Sequence, residues 1–101
     1  MSLPLLTAHQ WLMLKVTCNE IYYSLKRHKT VNQEHHRFVM ESLKLDPSGP
    51  YRYELFGTIQ FKLITPTLTL LFIEGDYNAS KHHVYVYPTP EKPTREYKKG
   101  R

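Results

Sequence analysis

Basic and aromatic side chains alternate along the second half of the chain, a combination typical of surfaces that bind nucleic acids. Aromatic rings can stack on bases, and lysine or arginine side chains can contact phosphates. The formal net charge of +5 also favours an anionic partner. The pattern singles out these contacts for an anion or a nucleic acid: Arg52, Lys62, Lys81, His83, Tyr85, Arg95, Lys98 and Lys99.

The six histidines are a second source of chemistry, because imidazole is a common metal ligand. Four of them form two adjacent pairs, His35-His36 and His82-His83. Adjacent side chains diverge on a helix and point to opposite faces of a strand, so neither pair can chelate one ion from a regular element. The chain also lacks the ligand spacings of zinc sites. We therefore predict no metal and no other cofactor, and we interpret the histidines as surface or half-buried residues.

Catalytic residue patterns are not evident. The single cysteine, Cys18, falls on the apolar stripe of a predicted helix and is interpreted as a small core residue. One cysteine allows no internal disulfide, which fits a reducing compartment such as the cytoplasm. The chain has no glycine-rich phosphate loop and no serine nucleophile motif. It also has no apolar run near the roughly 20 residues that span a bilayer, and no secretory signal pattern. These observations favour a cytoplasmic, non-enzymatic protein with no membrane association.

Residues 7–46 carry the signals of two helices. Thr7 and Gln10 match the capping box, in which each side chain bonds the backbone amide of the other residue. The basic run at 26–29 suits the end of the first helix, where positive charge complements the helix dipole. A second helix is predicted from near residue 32 to before Pro47, and one longer helix bent at 30–32 is the alternative. The residues predicted to face the core are Trp11, Leu14, Cys18, Ile21 or Tyr22, Leu25, Val31, Phe38, Val39, Ser42, Leu43 and Leu45.

Residues 51–87 change to the side-chain period of two that indicates β-strands. Strands are predicted near 51–64, 67–74 and 82–87, and Phe56-Gly57 within the first is interpreted as a bulge or a tight hairpin. Apolar residues occupy the odd positions of the first segment, so one face should lie beneath the helices with Tyr51, Tyr53 and Phe61. The even positions predict a mixed solvent face of Arg52, Glu54, Gln60 and Lys62.

The predicted fold is therefore a single α+β domain over residues 1–88. Two N-terminal helices pack on one face of a three- or four-stranded antiparallel β-meander. Residues 89–101 are predicted to form an extended, proline-rich basic tail, with five basic and two acidic residues.

One family similarity bears on function. Residues 49–55, 59–62 and 68–73 resemble the sheet of RelE-like ribonuclease toxins, which place two helices before a small antiparallel sheet. The chain lacks that family's first strand, unless residues 12–16 form it. The resemblance implies cleavage of ribosome-bound messenger RNA. It also implies phosphate contacts or proton transfer by Arg52, Lys62, Lys81, His82, His83 and Tyr85.

A protein-interaction role needs no catalytic residue and fits the tyrosine-rich last strand, because tyrosine is favoured at interfaces. We predict a non-enzymatic binding or interaction module that self-associates, with a homodimer or another protein as its partner. The dimer contact would be either the sheet edge near 84–87 or the open sheet face. The alternatives are an RNA-binding protein and a RelE-like ribonuclease toxin.

Overall fold

The computed structural model describes residues 5–75 and 81–90 and contains two helices followed by a four-stranded antiparallel sheet. Helix α1 spans Ala8–His28 and helix α2 spans Gln33–Ser42. The strands are β1 (Arg52–Phe56), β2 (Gln60–Ile64), β3 (Leu68–Ile73) and β4 (His83–Pro88), and they lie side by side in chain order. This confirms the predicted α+β class and the meander.

The helix boundaries follow from local chemistry. The hydroxyl of Thr7 accepts from the backbone amide of Gln10, whose side chain accepts from the Thr7 amide. Helix α1 ends at Lys29, which takes a left-handed conformation (φ 60°) and donates its amide to the Leu25 carbonyl. The side chain of Asn32 then caps α2 by accepting from the amides of Glu34 and His35. The single bent helix is therefore excluded.

The core lies between the helices and one face of the sheet. Helix α1 contributes a stripe of apolar residues at helical spacing to the core, and β2 and β3 contribute alternate residues. The expected core position Phe38 was wrong, because this side chain stays 39% exposed, and the buried residues His36 and Met40 were not among the predicted core positions. The fully buried side chains are Leu14, Cys18, Ile21, Tyr22, His36, Val39, Met40, Phe61, Leu63, Leu70 and Phe72.

A tight hairpin, not a bulge, divides the first strand segment. Gly57 has φ 57°, a left-handed conformation that costs glycine little, and the turn separates β1 from β2. The register pairs Leu55 with Phe61 and Tyr53 with Leu63, so odd positions stay on the helix-facing side of both strands. The hydroxyl of Tyr22 donates to the Thr58 carbonyl and ties the hairpin to α1.

The first residue of the predicted tail is held by the sheet. Thr89 donates its amide to the Thr67 carbonyl (3.0 Å) and its hydroxyl to the Thr65 carbonyl (2.6 Å). Its hydroxyl also lies 2.8 Å from that of Thr69. Residues 91–101, with the candidate contacts Arg95, Lys98 and Lys99, lie outside the described residues.

Gly75, which follows β3, lies against the backbone of Lys81, which precedes β4. A methyl group at this position would overlap with the backbone carbonyl of Lys81. We expect Gly75→Ala to lower the free energy of unfolding by about 3 kcal/mol, because the backbone must move to make room. Gly57→Ala is the matched control: it has open space but a left-handed φ, so we expect a cost of about 1 kcal/mol. Urea denaturation measures both values, and an equal or smaller loss for Gly75→Ala would contradict the packing.

Candidate binding surface

The face of the sheet turned away from the helices carries the candidate residues from three different strands. Because the strands pair in chain order, its side chains fall into three rows across the sheet. We call this surface the open face. Its rows are Arg52, Ile64, Thr69 and Tyr87; Glu54, Lys62, Leu71 and Tyr85; and Phe56, Gln60, Ile73 and His83.

The two inner strands supply an apolar centre to the open face. Ile64 from β2 and Leu71 and Ile73 from β3 are half-buried by their neighbours, although neither described helix lies on this face. Thr69 is only 3% exposed. The expected solvent face of mixed polar residues was therefore only partly correct, since these aliphatic side chains lie among the polar ones.

The two outer strands, together with Lys62 of the inner strand β2, supply charged and aromatic side chains. On β1, Arg52 Nε lies 2.8 Å from Glu54 Oε2. The Lys62 amine lies 4.9 Å from the centroid of the Phe56 ring, a distance at which a cation is attracted to the ring. On β4, His83 and Tyr85 stack with nearly parallel rings, and Tyr85 is 50% exposed.

The structure thus places four predicted contacts, Arg52, Lys62, His83 and Tyr85, on one face. Lys81 is exposed but precedes β4 and lies outside the three rows. The tyrosines of the sheet region divide between two surfaces. Tyr53 is half-buried on the helix side, as expected, whereas Tyr51 remains 43% exposed; Tyr85 and Tyr87 belong to the open face.

Sequence reasoning missed the aliphatic centre, although a signal for it was present. The segment 68–73 has only one polar residue, Thr69, so it is apolar on both sides rather than on alternate positions. Such a run indicates a strand with neither face fully exposed to water. This run therefore indicated that β3 is apolar also on the face turned away from the helices.

Two histidines are buried, contrary to the expectation that all were surface or half-buried residues. His36 Nδ1 lies 2.7 Å from the Tyr53 hydroxyl, and the His36 ring packs 3.9 Å from that of Tyr51. His82 Nδ1 accepts from the Gly75 amide at 2.9 Å. His82 and His83 point to opposite faces, as their adjacency predicts. Within residues 5–75 and 81–90, no cluster of three or more histidine, cysteine or acidic side chains suits a metal ion.

The chain matches no protein-family model, no curated protein and no solved structure. The resemblance to RelE-like ribonucleases therefore stays a prediction from strand pattern, and residues 12–16, which could have formed that family's first strand, belong to α1. No helix in the described part of the chain is long and apolar enough to cross a bilayer.

The burial of Cys18 can be tested directly. The side chain is 0% exposed, and burial raises the pKa of its thiol. Because the thiolate is the reactive form, we expect the native protein to resist a thiol reagent such as dithionitrobenzoate, while the denatured chain releases one equivalent of product. Rapid labelling of the folded protein would show that Cys18 reaches solvent and would reopen a nucleophilic role.

The buried histidines predict how stability depends on pH. Burial lowers the pKa of His36 below 6.5, although the Pro47 carbonyl partly opposes this. Burial also lowers the pKa of His82, with Lys15 and His83 adding to the effect and Glu74 opposing it. As pH falls, the unfolded chain therefore takes up protons at a higher pH than the folded protein does. The contribution of these two neutral histidines to the free energy of unfolding is complete above pH 6.5 and is lost progressively below it.

Urea denaturation between pH 8 and pH 5 measures this dependence. His82→Asn is the control, since its amide oxygen can still accept from the Gly75 amide but does not titrate. We expect a shallower pH dependence in this variant. A free energy of unfolding that stays constant or rises from pH 7 to pH 5 would contradict the histidine assignments.

Proposed function

We propose that the protein is a non-enzymatic interaction module that self-associates through the open face. The observation that carries this proposal is a group of aliphatic side chains on the two inner strands, which lies beside Lys62 and Gln60 of β2 and between the charged and aromatic side chains of the outer strands. Protein interfaces commonly have such an arrangement, with a desolvated core and a polar rim. The centre is formed by Ile64, Leu71 and Ile73.

The same surface is less suited to nucleic acid. Aliphatic side chains at the centre offer no ring on which a base could stack. Phe56 and Tyr85 lie on opposite outer strands, about 14 Å apart at the usual strand spacing. The charge of Arg52 is also engaged by Glu54, at 2.8 Å, rather than free for phosphate. These features favour a protein occupant over RNA.

A second copy of the chain is a suitable occupant of the open face. This face carries positive and negative side chains as well as apolar and aromatic ones, so it can be complementary to itself. Four strands of five or six residues cover about 350 Å² of flat area at ordinary strand spacing. That area is small for a stable protein interface, which buries roughly 800 Å² on each partner. We therefore expect a weak dimer whose population depends on concentration.

Binding rather than catalysis is supported by the placement of the reactive groups. The thiol of Cys18 is enclosed in the core, and His36 is buried against Tyr51 and Tyr53. A single buried cysteine also suits a reducing compartment, and we assign the dimer to the cytoplasm.

A charge at the centre of the open face tests the proposal. Leu71→Lys places an amine beside Lys62, and we expect it to shift the dimer to monomer, raising the dissociation constant at least tenfold. Val16→Lys is the matched control on the outer side of α1, where the native side chain is 37% exposed. Sedimentation velocity over a concentration series measures the equilibrium, and circular dichroism confirms that both variants fold.

Three results would count against the proposal. The wild-type chain could remain a monomer at the highest concentration tested. Leu71→Lys could dimerise as well as Val16→Lys. Alternatively, an RNA oligonucleotide could bind with a steep salt dependence and lose affinity in Lys62→Gln, which would assign the open face to nucleic acid instead.

A further inference from the structure

The outer strands of the open face are chemically different. Strand β1 contributes the Arg52–Glu54 ion pair and Phe56, whereas β4 contributes His83, Tyr85 and Tyr87. This difference gives the open face a direction across the strands. Two copies can therefore pack face to face in orientations that differ in which strands lie opposite each other.

Two symmetric arrangements keep the strands of two stacked sheets roughly aligned, as is usual in sheet packing. In one, the twofold axis runs across the strands and each strand lies opposite its own counterpart. Glu54 in the middle row then faces Glu54 of the second copy, and Lys62 faces Lys62. Like charges opposed across an interface are destabilising, so this arrangement is disfavoured.

We propose that the twofold axis of the dimer runs along the strands, so that β1 of one copy lies opposite β4 of the other. This inference rests on the proposed self-association through the open face. It removes both like-charge contacts, because Glu54 faces Tyr85 and Lys62 faces Leu71 of the second copy.

Each pair in this arrangement is chemically compatible. The hydroxyl of Tyr85 can donate to the Glu54 carboxylate, and the Arg52 guanidinium can lie over the Tyr87 ring. The aliphatic stem of Lys62 can pack on Leu71 while its amine reaches the rim. Stacked sheets lie about 10 Å apart and cross at about 30°, which displaces outer-strand partners by roughly one residue. Lys62 and Leu71 lie on the inner strands and are displaced less, so the contact of Lys62 with Leu71, rather than with a second Lys62, decides the orientation of the second copy.

Crosslinking between single-cysteine variants distinguishes the two axes. The variants Glu54→Cys and Tyr85→Cys each add one thiol to the open face, at a half-buried and an exposed position respectively, and the wild-type protein is the control because Cys18 is buried. With the axis along the strands, a short bis-maleimide should crosslink a mixture of the two variants. Either variant alone should give at least fivefold less crosslinked dimer. Its two thiols would lie at opposite edges of the stacked sheets, about 14 Å apart in the direction across the strands.

The outcomes separate this inference from the proposed function. Efficient crosslinking of the mixture only, read by denaturing gel and mass spectrometry, supports the axis along the strands. Efficient crosslinking of each variant alone overturns it in favour of the axis across the strands, while self-association through the open face remains. Sedimentation as a dimer with no crosslink in any sample also overturns it. A wild-type chain that sediments as a monomer removes both proposals.

Discussion

The whole structure depends on burying one face of the sheet beneath α1. Phe61 and Leu63 of β2 and Leu70 and Phe72 of β3 point to the same side, where they meet the apolar stripe of the helix. Burial of a large apolar side chain contributes roughly 1.5–3 kcal/mol, so this contact outweighs individual hydrogen bonds at the surface. Because side chains alternate along a strand, fixing this face also fixes every residue on the other.

Contacts at one end of the sheet hold it beneath α1, and contacts at the other end join its strands to one another. Tyr22 bonds the β1–β2 turn, and the adjacent Tyr23 donates to the Glu74 carboxylate beyond β3. At the other end, the hydroxyl of Thr65 bonds the backbone of Leu68, and Thr89 bonds the same turn. The two outer strands, which differ most in chemistry, are therefore held in register with the centre.

The open face results from the packing of both described helices on the same side of the sheet. With α1 and α2 on the same side, four strands present a second face that no element in the described part of the chain covers. Among the described residues, its aliphatic side chains are shielded by the side chains around them. An apolar centre of this kind is satisfied by a partner surface more readily than by water, which is why the proposed role is association.

The local features of the fold were determined by the sequence itself. Thr7 and Asn32 cap the helices with their own side chains, and the odd-position apolar residues of 51–63 specify which side of the sheet is buried. These features depend on residues close together in the chain, whose spacing can be read directly. The distinction between a bulge and a hairpin at Gly57 could not be read, since either conformation accepts glycine.

Only the tertiary structure decided which distant residues share the open face. Pairing of β2 with β3 and of β3 with β4 brings Lys62, Leu71 and Tyr85 into one row, although they are far apart in sequence. The burial of His36 likewise depends on Tyr51 and Tyr53 packing against α2. Strand pairing and helix docking are non-local contacts, and a shift of one residue would exchange the two faces. Spacing along the chain therefore identified the candidate residues, while only the register of the folded sheet could place them beside an apolar centre.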